Sequence, residues 1–310
     1  MISTVTLNPA FDKSIYIDKL IPNDTNRIIK VETDAGGKGI NASRVLKELG
    51  SETVALGFLG GDTGRFIEQV LISNGIQTDF VHIDSPTRTV IGVQEASGAP
   101  PTTFNEPGAP VTEDEFDELS AKVRRTARKS TMMAFGGSLP PGAPVDTYRK
   151  LVTLARNAGT RVILDSDGEP MRLGIEARPY MIKPNRAEVE RLIGVKIESL
   201  DDAVKALRMF EQFDIETVVI SMGSQGAVAC SQEGVWHAIP PEVKVVSTIG
   251  AGDSMVAGIA HILSKGGSLE EALRWGSAAG AATAMTSGAE ISGRPQILAL
   301  IDKVHVTRLD

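Results

Sequence analysis

Met132-Met133-Ala134-Phe135-Gly136-Gly137-Ser138-Leu139-Pro140-Pro141-Gly142 sets a rhythm that the second half of the chain repeats. Four apolar residues suit a short buried strand, and the glycines, serine and prolines that follow stop it and open a loop. A helical pattern occupies residues 145–157, and further apolar runs stand at 162–164, 180–182 and 218–220. Helical patterns at 186–193 and 200–213 lie between the later runs, and others at 253–264, 269–287 and 295–304 close the chain. Short buried strands alternating with helices predict an α/β fold, a doubly wound and mostly parallel sheet with helices on both faces.

The first half is mixed. Residues 2–7 form an apolar strand broken at Asn8-Pro9, whereas 13–18, 27–33, 80–83 and 90–95 alternate apolar and polar residues. That alternation suits half-exposed antiparallel strands. It interrupts the α/β rhythm at about 13–34 and 86–106, so one domain over 1–310 with a small β-sheet lid is predicted. Ligands of such sheets gather outside the carboxyl ends of the strands. The loops at 8–12, 136–142, 165–169, 183–188 and 221–226 therefore become the places to search.

Composition narrows the chemistry. Hydrophobic residues at 42% and charged residues at 23% suit a folded chain with a sizeable core. A formal charge of −7 argues against nucleic acid or a membrane surface as partner, and anionic substrates must be met by a few Lys and Arg placed in loops. The single Cys230 excludes an internal disulfide and reads as a small buried hydrophobe in a strand. No basic leader with an apolar segment opens the chain, so the cytoplasm is expected. The four histidines lack metal-ligand spacing, and neither G-x-S-x-G nor G-x-x-x-x-G-K-[ST] occurs.

The sharpest local signal is Ser247-Thr248-Ile249-Gly250-Ala251-Gly252-Asp253-Ser254-Met255. Its glycines allow a tight turn into a helix, whose first amides favour an anion. A carboxylate among those amides opposes simple phosphate binding. It makes sense if Asp253 takes a proton from a hydroxyl that attacks a phosphoryl group, which is kinase chemistry. Ala35-Gly36-Gly37-Lys38-Gly39-Ile40-Asn41 can wrap a polar ligand with a cation and an amide. The strand before it is too polar to open a nicotinamide-binding unit, and a solvated lysine at a helix start is its bland alternative. Asp12 can accept from hydroxyls or merely serve its turn. Arg27 and Arg88, placed on the projecting strands, are either solvated or gathered toward an anion. Ser138 either contacts a ligand or belongs to a turn. In Lys183-Pro184-Asn185-Arg186-Ala187-Glu188, Asn185 and Glu188 share a first helical turn. They can hold hydrated Mg²⁺ or form a capping box, and spacing does not choose between the two. Asp165 can add outer charge to such a metal. The 221–226 loop, with Ser221 and Gly223, is either a plain turn or a nucleotide-phosphate contact.

These segments occur in the order expected of the PfkB, or ribokinase-like, sugar kinases, and the chain resembles their phosphofructokinase and tagatose-6-phosphate kinase branch throughout its length. The resemblance implies a ribokinase-like α/β domain, a lid that pairs with another lid in a homodimer, MgATP as donor and a phosphorylated ketohexose as acceptor. It implies Asp253 as base and the amides of Gly250, Ala251 and Gly252 as the hole for the transferring phosphoryl. Asp12, Gly37 and Asn41 would bind sugar hydroxyls, with Lys38, Arg27, Arg88 and Ser138 at the sugar-phosphate end. Lys183, Asn185, Glu188, Ser221, Gly223 and Thr248 would line the ATP and Mg²⁺ site. Some members bind K⁺ beside the anion hole, where Glu290 departs from the basic residue of the minor phosphofructokinase type. The expected reaction makes fructose 1,6-bisphosphate from fructose 1-phosphate or fructose 6-phosphate. The alternatives are a tagatose-6-phosphate kinase and a non-catalytic sugar-phosphate sensor.

Overall fold

Apolar five-residue strands punctuated by glycine and aspartate build most of the sheet. A computed structural model describes residues 1–98 and 101–309, so Ala99 and Pro100 of the expected lid segment lie outside the described residues. The chain begins β1 (Ile2–Thr6), β2 (Ala10–Ile17), β3 (Lys30–Gly36), α1 (Lys38–Glu48), β4 (Thr53–Gly60) and α2 (Gly61–Ser73). There follow β5 (Gln77–Thr78), β6 (Val81–Ile83), β7 (Thr89–Glu95), β8 (Thr102–Asn105) and α3 (Glu113–Ala127). Next come β9 (Met132–Gly136), α4 (Thr147–Asn157), β10 (Arg161–Asp165), α5 (Gly168–Ile175), β11 (Met181–Ile182), α6 (Arg186–Ile193) and α7 (Leu200–Met209). The last part holds β12 (Thr217–Ser221), β13 (Ala227–Ser231), β14 (Gly234–Ile239), α8 (Ala251–Leu263), α9 (Leu269–Ala284), α10 (Arg294–Ile301) and β15 (His305–Arg308).

The large sheet has the order β15-β14-β13-β12-β11-β10-β9-β1-β4-β5, and β6 pairs the far end of β4. Pairings from β12 through β11, β10, β9, β1 and β4 to β5 and β6 are parallel; β13, β14 and β15 add an antiparallel edge. Alternate side chains of these strands enter different cores. Val5, Phe135 and Leu164 pack with Leu119, Tyr148 and Leu207 on one face. Ala134, Ile163 and Val219 pack with Val45, Ile259 and Leu273 on the other. Helices thus cover both faces, as the rhythm implied.

A second sheet of order β3-β2-β7-β8 forms the lid. The chain leaves β1 through Asn8-Pro9 directly into β2, and returns from β3 through Gly36-Gly37 into α1. Both connections sit at the carboxyl end of β1, so the lid stands over the strand ends.

Several expectations are corrected. The alternation at 80–83 predicts a half-exposed antiparallel strand, yet Phe80 and Val81 are buried and β6 runs parallel to β4. Alternation reports faces and not direction, and β7 likewise lies parallel to β2. The chain ends in strand β15 rather than in a helix, paired antiparallel to β14. Strand β4 over Thr53–Gly60, every residue of it buried, is absent from the pattern expected of the sequence. Residues 221–226 turn a hairpin between β12 and β13, and Cys230 is only partly buried on β13, across from Val218.

Candidate active site

The turn before α8 ends in Gly250 with φ 75°, a left-handed conformation that glycine adopts without strain. No side chain caps this helix. Among the described residues the amides of Gly250, Gly252 and Asp253 have no partner, whereas Ala251 N–H donates to the Thr248 carbonyl at 3.3 Å. The expected trio of amides is therefore amended: Ala251 spends its donor inside the turn, and Asp253 brings one of its own. Unspent amides at a helix start attract an anion.

Asp253, in the first turn, is buried. Its Oδ2 accepts from Asn41 Nδ2 at 2.8 Å, and Asn41 Oδ1 is then a buried oxygen with no partner. An orphaned acceptor beside a carboxylate is costly unless a ligand donates to it. Burial pushes the Asp253 carboxyl up to about 6; Asp165 adds to the rise, and Lys38, the Asn41 amide and Lys183 oppose it. Ionised at neutral pH yet more basic than an ordinary aspartate, it suits proton abstraction.

Asp165 sits at the end of β10 between two lysines. Its Oδ1 accepts from Lys38 Nζ at 2.8 Å, and its Oδ2 lies 3.4 Å from Lys183 Nζ. Burial would raise this carboxyl, but the two ammonium groups outweigh burial and hold it below the usual range. Lys38 also loses hydration; Asp165, Asp253 and Glu188 more than restore its charge and hold its pKa above the usual range for lysine. Two expectations change here. Asp165, expected near a metal, has both oxygens engaged by lysines. Lys38, expected at the sugar-phosphate end, points instead into the carboxylate cluster, with Glu188 Oε1 4.0 Å away.

On the lid side, Asp12 lies on β2 with its carboxylate pressed against Gly36; a Cβ there would fall 2.0 Å from Asp12 Oδ2. Burial, then the neighbouring Asp34, raises its pKa to about 7, against the pull of Arg88 and Arg44. Arg88 stands just before β7 and not within it, its guanidinium donating to the carbonyls of Asn8, Pro9 and Glu106 at 3.1–3.3 Å. Exposed Ser138 accepts from Asn8 Nδ2 at 3.2 Å. The alternation at 27–33 predicts a projecting strand that contains Arg27. Arg27 lies instead in the exposed connection between β2 and β3, and has no ion pair among the described residues.

On the other side of Asp253 opens a cavity of about 570 Å³. Ser221, Gly223 and Thr248 line it as expected, together with Ala251 and Gly252 of the α8 turn. Val243, Val245, Ala281 and Ala284 add apolar walls that motif reading did not anticipate. Asn185 bridges in parallel to Ser221, which ties the start of α6 to this cavity. Asn185 and Glu188 do form a capping box: Asn185 Oδ1 accepts from Glu188 N–H at 2.9 Å, and Glu188 Oε2 from Asn185 N–H at 2.7 Å. The site is thus bipolar, with the polar groups of Asp12, Asn41 and Arg88 on the lid side, an apolar cavity beyond, and a carboxylate with open amides between them.

A doubly wound α/β sheet with a lid on one side of a helix-borne carboxylate and a nucleotide-sized cavity on the other defines a phosphotransferase of the ribokinase-like class. More narrowly, residues 5–297 match the pfkB family of carbohydrate kinases, and the chain belongs to that family. It is 37% identical over 286 residues to the 1-phosphofructokinase of Borreliella burgdorferi, covering 92% of each chain. It is 34% identical to the 1-phosphofructokinase of Bacillus subtilis over the whole of both chains. Its fold is also similar to that of phosphofructokinase-2 from Escherichia coli solved with substrates and products, at TM-score 0.93 and 30% identity over 97% of this chain and 98% of that one.

Proposed function

We propose that the chain is an ATP-dependent phosphofructokinase, which transfers the γ-phosphoryl of MgATP to a hydroxyl of fructose 1-phosphate or fructose 6-phosphate and makes fructose 1,6-bisphosphate. One observation carries the reading: the Asp253–Asn41 pair and the open α8 amides join the lid pocket to the nucleotide-sized cavity. Asp253 accepts the proton of the acceptor hydroxyl. The freed oxygen forms the new bond to the γ-phosphorus as the bond to the β–γ bridging oxygen breaks, and ADP leaves. Asn41 orients the base, and its unpartnered Oδ1 accepts from a sugar hydroxyl. The amides of Gly250, Gly252 and Asp253 hold the transferring group, with Lys38 and Lys183 neutralising the charge that gathers there. Asp12 and the Gly37 backbone take the other sugar hydroxyls, while Arg88 and Ser138 face the sugar phosphate.

Among the described residues no three His, Cys, Asp or Glu side chains converge to hold a metal. That fits Mg²⁺, which binds mainly through phosphates and water with one or two protein oxygens. Glu188 Oε1, left over from the capping box, and the second lone pair of Asn185 Oδ1 would complete its shell; the ion supplies charge neutralisation on the β- and γ-phosphates. A K⁺ site beside the α8 turn rests only on the potassium complex of the Escherichia coli phosphofructokinase-2. A homodimer through the lid is supported by Ile28, Ile29, Val31 and Phe104, large apolar side chains that the lid leaves exposed. No helix among the described residues is long and apolar enough to cross a membrane, and we place the enzyme in the cytoplasm.

A coupled ADP-release assay with fructose 6-phosphate, fructose 1-phosphate, tagatose 6-phosphate and unphosphorylated fructose side by side tests the reading. Turnover with a fructose phosphate and none with fructose is expected. Turnover with tagatose 6-phosphate alone would move the chain to the sister activity. Binding of a phosphosugar without turnover would make it a sensor.

A further inference from the structure

Lys38, Asn41 and Arg44 recur every three residues on α1, spacing that keeps side chains on neighbouring parts of one helix surface. Lys38 and Asn41 reach Asp165 and Asp253. Arg44 reaches the lid: its Nη2 lies 2.8 Å from Asp34 Oδ1, and its Nη1 donates to the Ala35 carbonyl at 3.3 Å. The pair is well sheltered, with side-chain exposures of 12% and 25%. Asp34 lies on β3 directly across from Asp12 on β2. Residues directly opposed in an antiparallel pair share a face, and like charges there repel. Two carboxylates on one face of a small sheet therefore need a cation, and α1 supplies it.

We propose that Arg44 is a positioning residue for the sugar: paired with Asp34, it latches lid strand β3 to α1 and thereby seats Asp12 toward the Asp253–Asn41 pair. The inference rests on the kinase reading above and deepens it, since it assigns the grip on the sugar to a pair outside the binding residues. The charged groups facing Asp12 are Asp34 from β3, Arg88 from the segment before β7, Arg44 from α1 and Asp253 from α8. Those facing Asp34 are Arg44 and Glu290. Asp12 accepts from sugar hydroxyls through both oxygens and most strongly when ionised, so its two neighbours act in opposite senses. Removing Arg44 makes Asp12 keep its proton to higher pH; removing the charge of Asp34 lets it ionise at lower pH.

The test uses full-length Arg44→Ala, Arg44→Lys and Asp34→Asn, with thermal melts to confirm folding. Affinity for the fructose phosphate is measured by calorimetry from pH 5.5 to 8.5 (roughly bracketing the shifted carboxyl), beside kcat and both KM values. Arg44→Ala is expected to raise the sugar KM about tenfold or more, with kcat within about threefold and the MgATP KM unmoved. The pH below which sugar affinity fades should move up in Arg44→Ala and down in Asp34→Asn. Arg44→Lys should keep the wild-type midpoint while still binding sugar more weakly, because an ammonium cannot span a carboxylate and a carbonyl as a planar fork does. A midpoint that moves the same way in Arg44→Ala and Asp34→Asn, or a loss shared equally by both substrates, would overturn the latch. Should Arg44→Ala not fold, an unmoved midpoint in Asp34→Asn overturns it alone. Failure of the kinase reading is visible separately, as wild-type protein that turns over no phosphosugar, and the calorimetric arm then still decides the latch.

Discussion

Asp253→Asn is expected to abolish turnover and, at the same time, to make the protein harder to unfold. The first effect follows from the loss of the carboxylate that stands at the α8 amides, and removal of a general base costs on the order of 10²–10⁴ in rate. The second follows from burial. The carboxyl is raised from an ordinary value near 4 to about 6, so folding takes up a proton between those values. Below that window both folded and unfolded chains hold the proton and the group costs nothing. Stability falls as pH rises through the window, and the full cost is present above it. An asparagine retains the shape and the acceptor oxygen for Asn41 but carries no charge. At pH 8 the variant should therefore gain on the order of 1–3 kcal/mol, a rise of roughly 2–4 °C in Tm per kcal/mol. Near pH 4 the two proteins should melt together. Coupled kinase assays and melts at both pH values check this; substantial turnover, or a less stable variant at pH 8, would remove Asp253 from the role given to it.

Asp165→Asn should act in the opposite direction on stability. A buried ammonium group, that of Lys183, and a half-buried one, that of Lys38, lose the carboxylate they share. Leaving a buried charge without its partner costs about 3–5 kcal/mol. A catalytic signature accompanies the loss. Asp165 raises the pKa of Asp253 while Lys38 lowers it, so removing the first and releasing the second both make Asp253 more acidic. The acid limb of kcat at saturating sugar, where Asp12 is already engaged and Asp253 sets the limb, should then shift to lower pH than in the wild type, and the plateau rate should drop because the base is weaker. A lowered Tm with an unmoved limb would mean that Asp165 stabilises the sheet edge without influencing the base. An unchanged Tm would contradict the lysine-holding role altogether.

The parts of this molecule legible in the sequence are those set by local chemistry. Apolar runs between glycine clusters place β9 to β12, because a buried parallel strand needs no alternation and a loop needs its breakers. Gly250 and Asp253 are legible for the same reason, since a glycine turn opening a helix fixes where its amides and first carboxylate stand. Direction and partnership were not. The alternation in β2 and β7 tells which residues face out and is silent on whether the strands run together. Lys38 follows a glycine with a long flexible stem, and its choice of Asp165 depends on a residue 127 positions away. Arg44 looks like one more solvated cation on an amphipathic helix until β3 is laid beside it. Spacing alone left Asn185 and Glu188 undecided between cap and metal. The capping box is present, and it leaves one glutamate oxygen over.

The account stands on Asp253 as the group that receives the acceptor proton. A crystal structure of the wild-type protein with a fructose phosphate and a non-hydrolysable MgATP analogue measures this most directly. The expected result is a carboxylate oxygen of Asp253 about 2.6–3.2 Å from the unphosphorylated primary hydroxyl, with that hydroxyl oxygen about 3–3.5 Å from the γ-phosphorus. A hydroxyl held by Asp12 or by Lys38, out of reach of Asp253, would contradict the account.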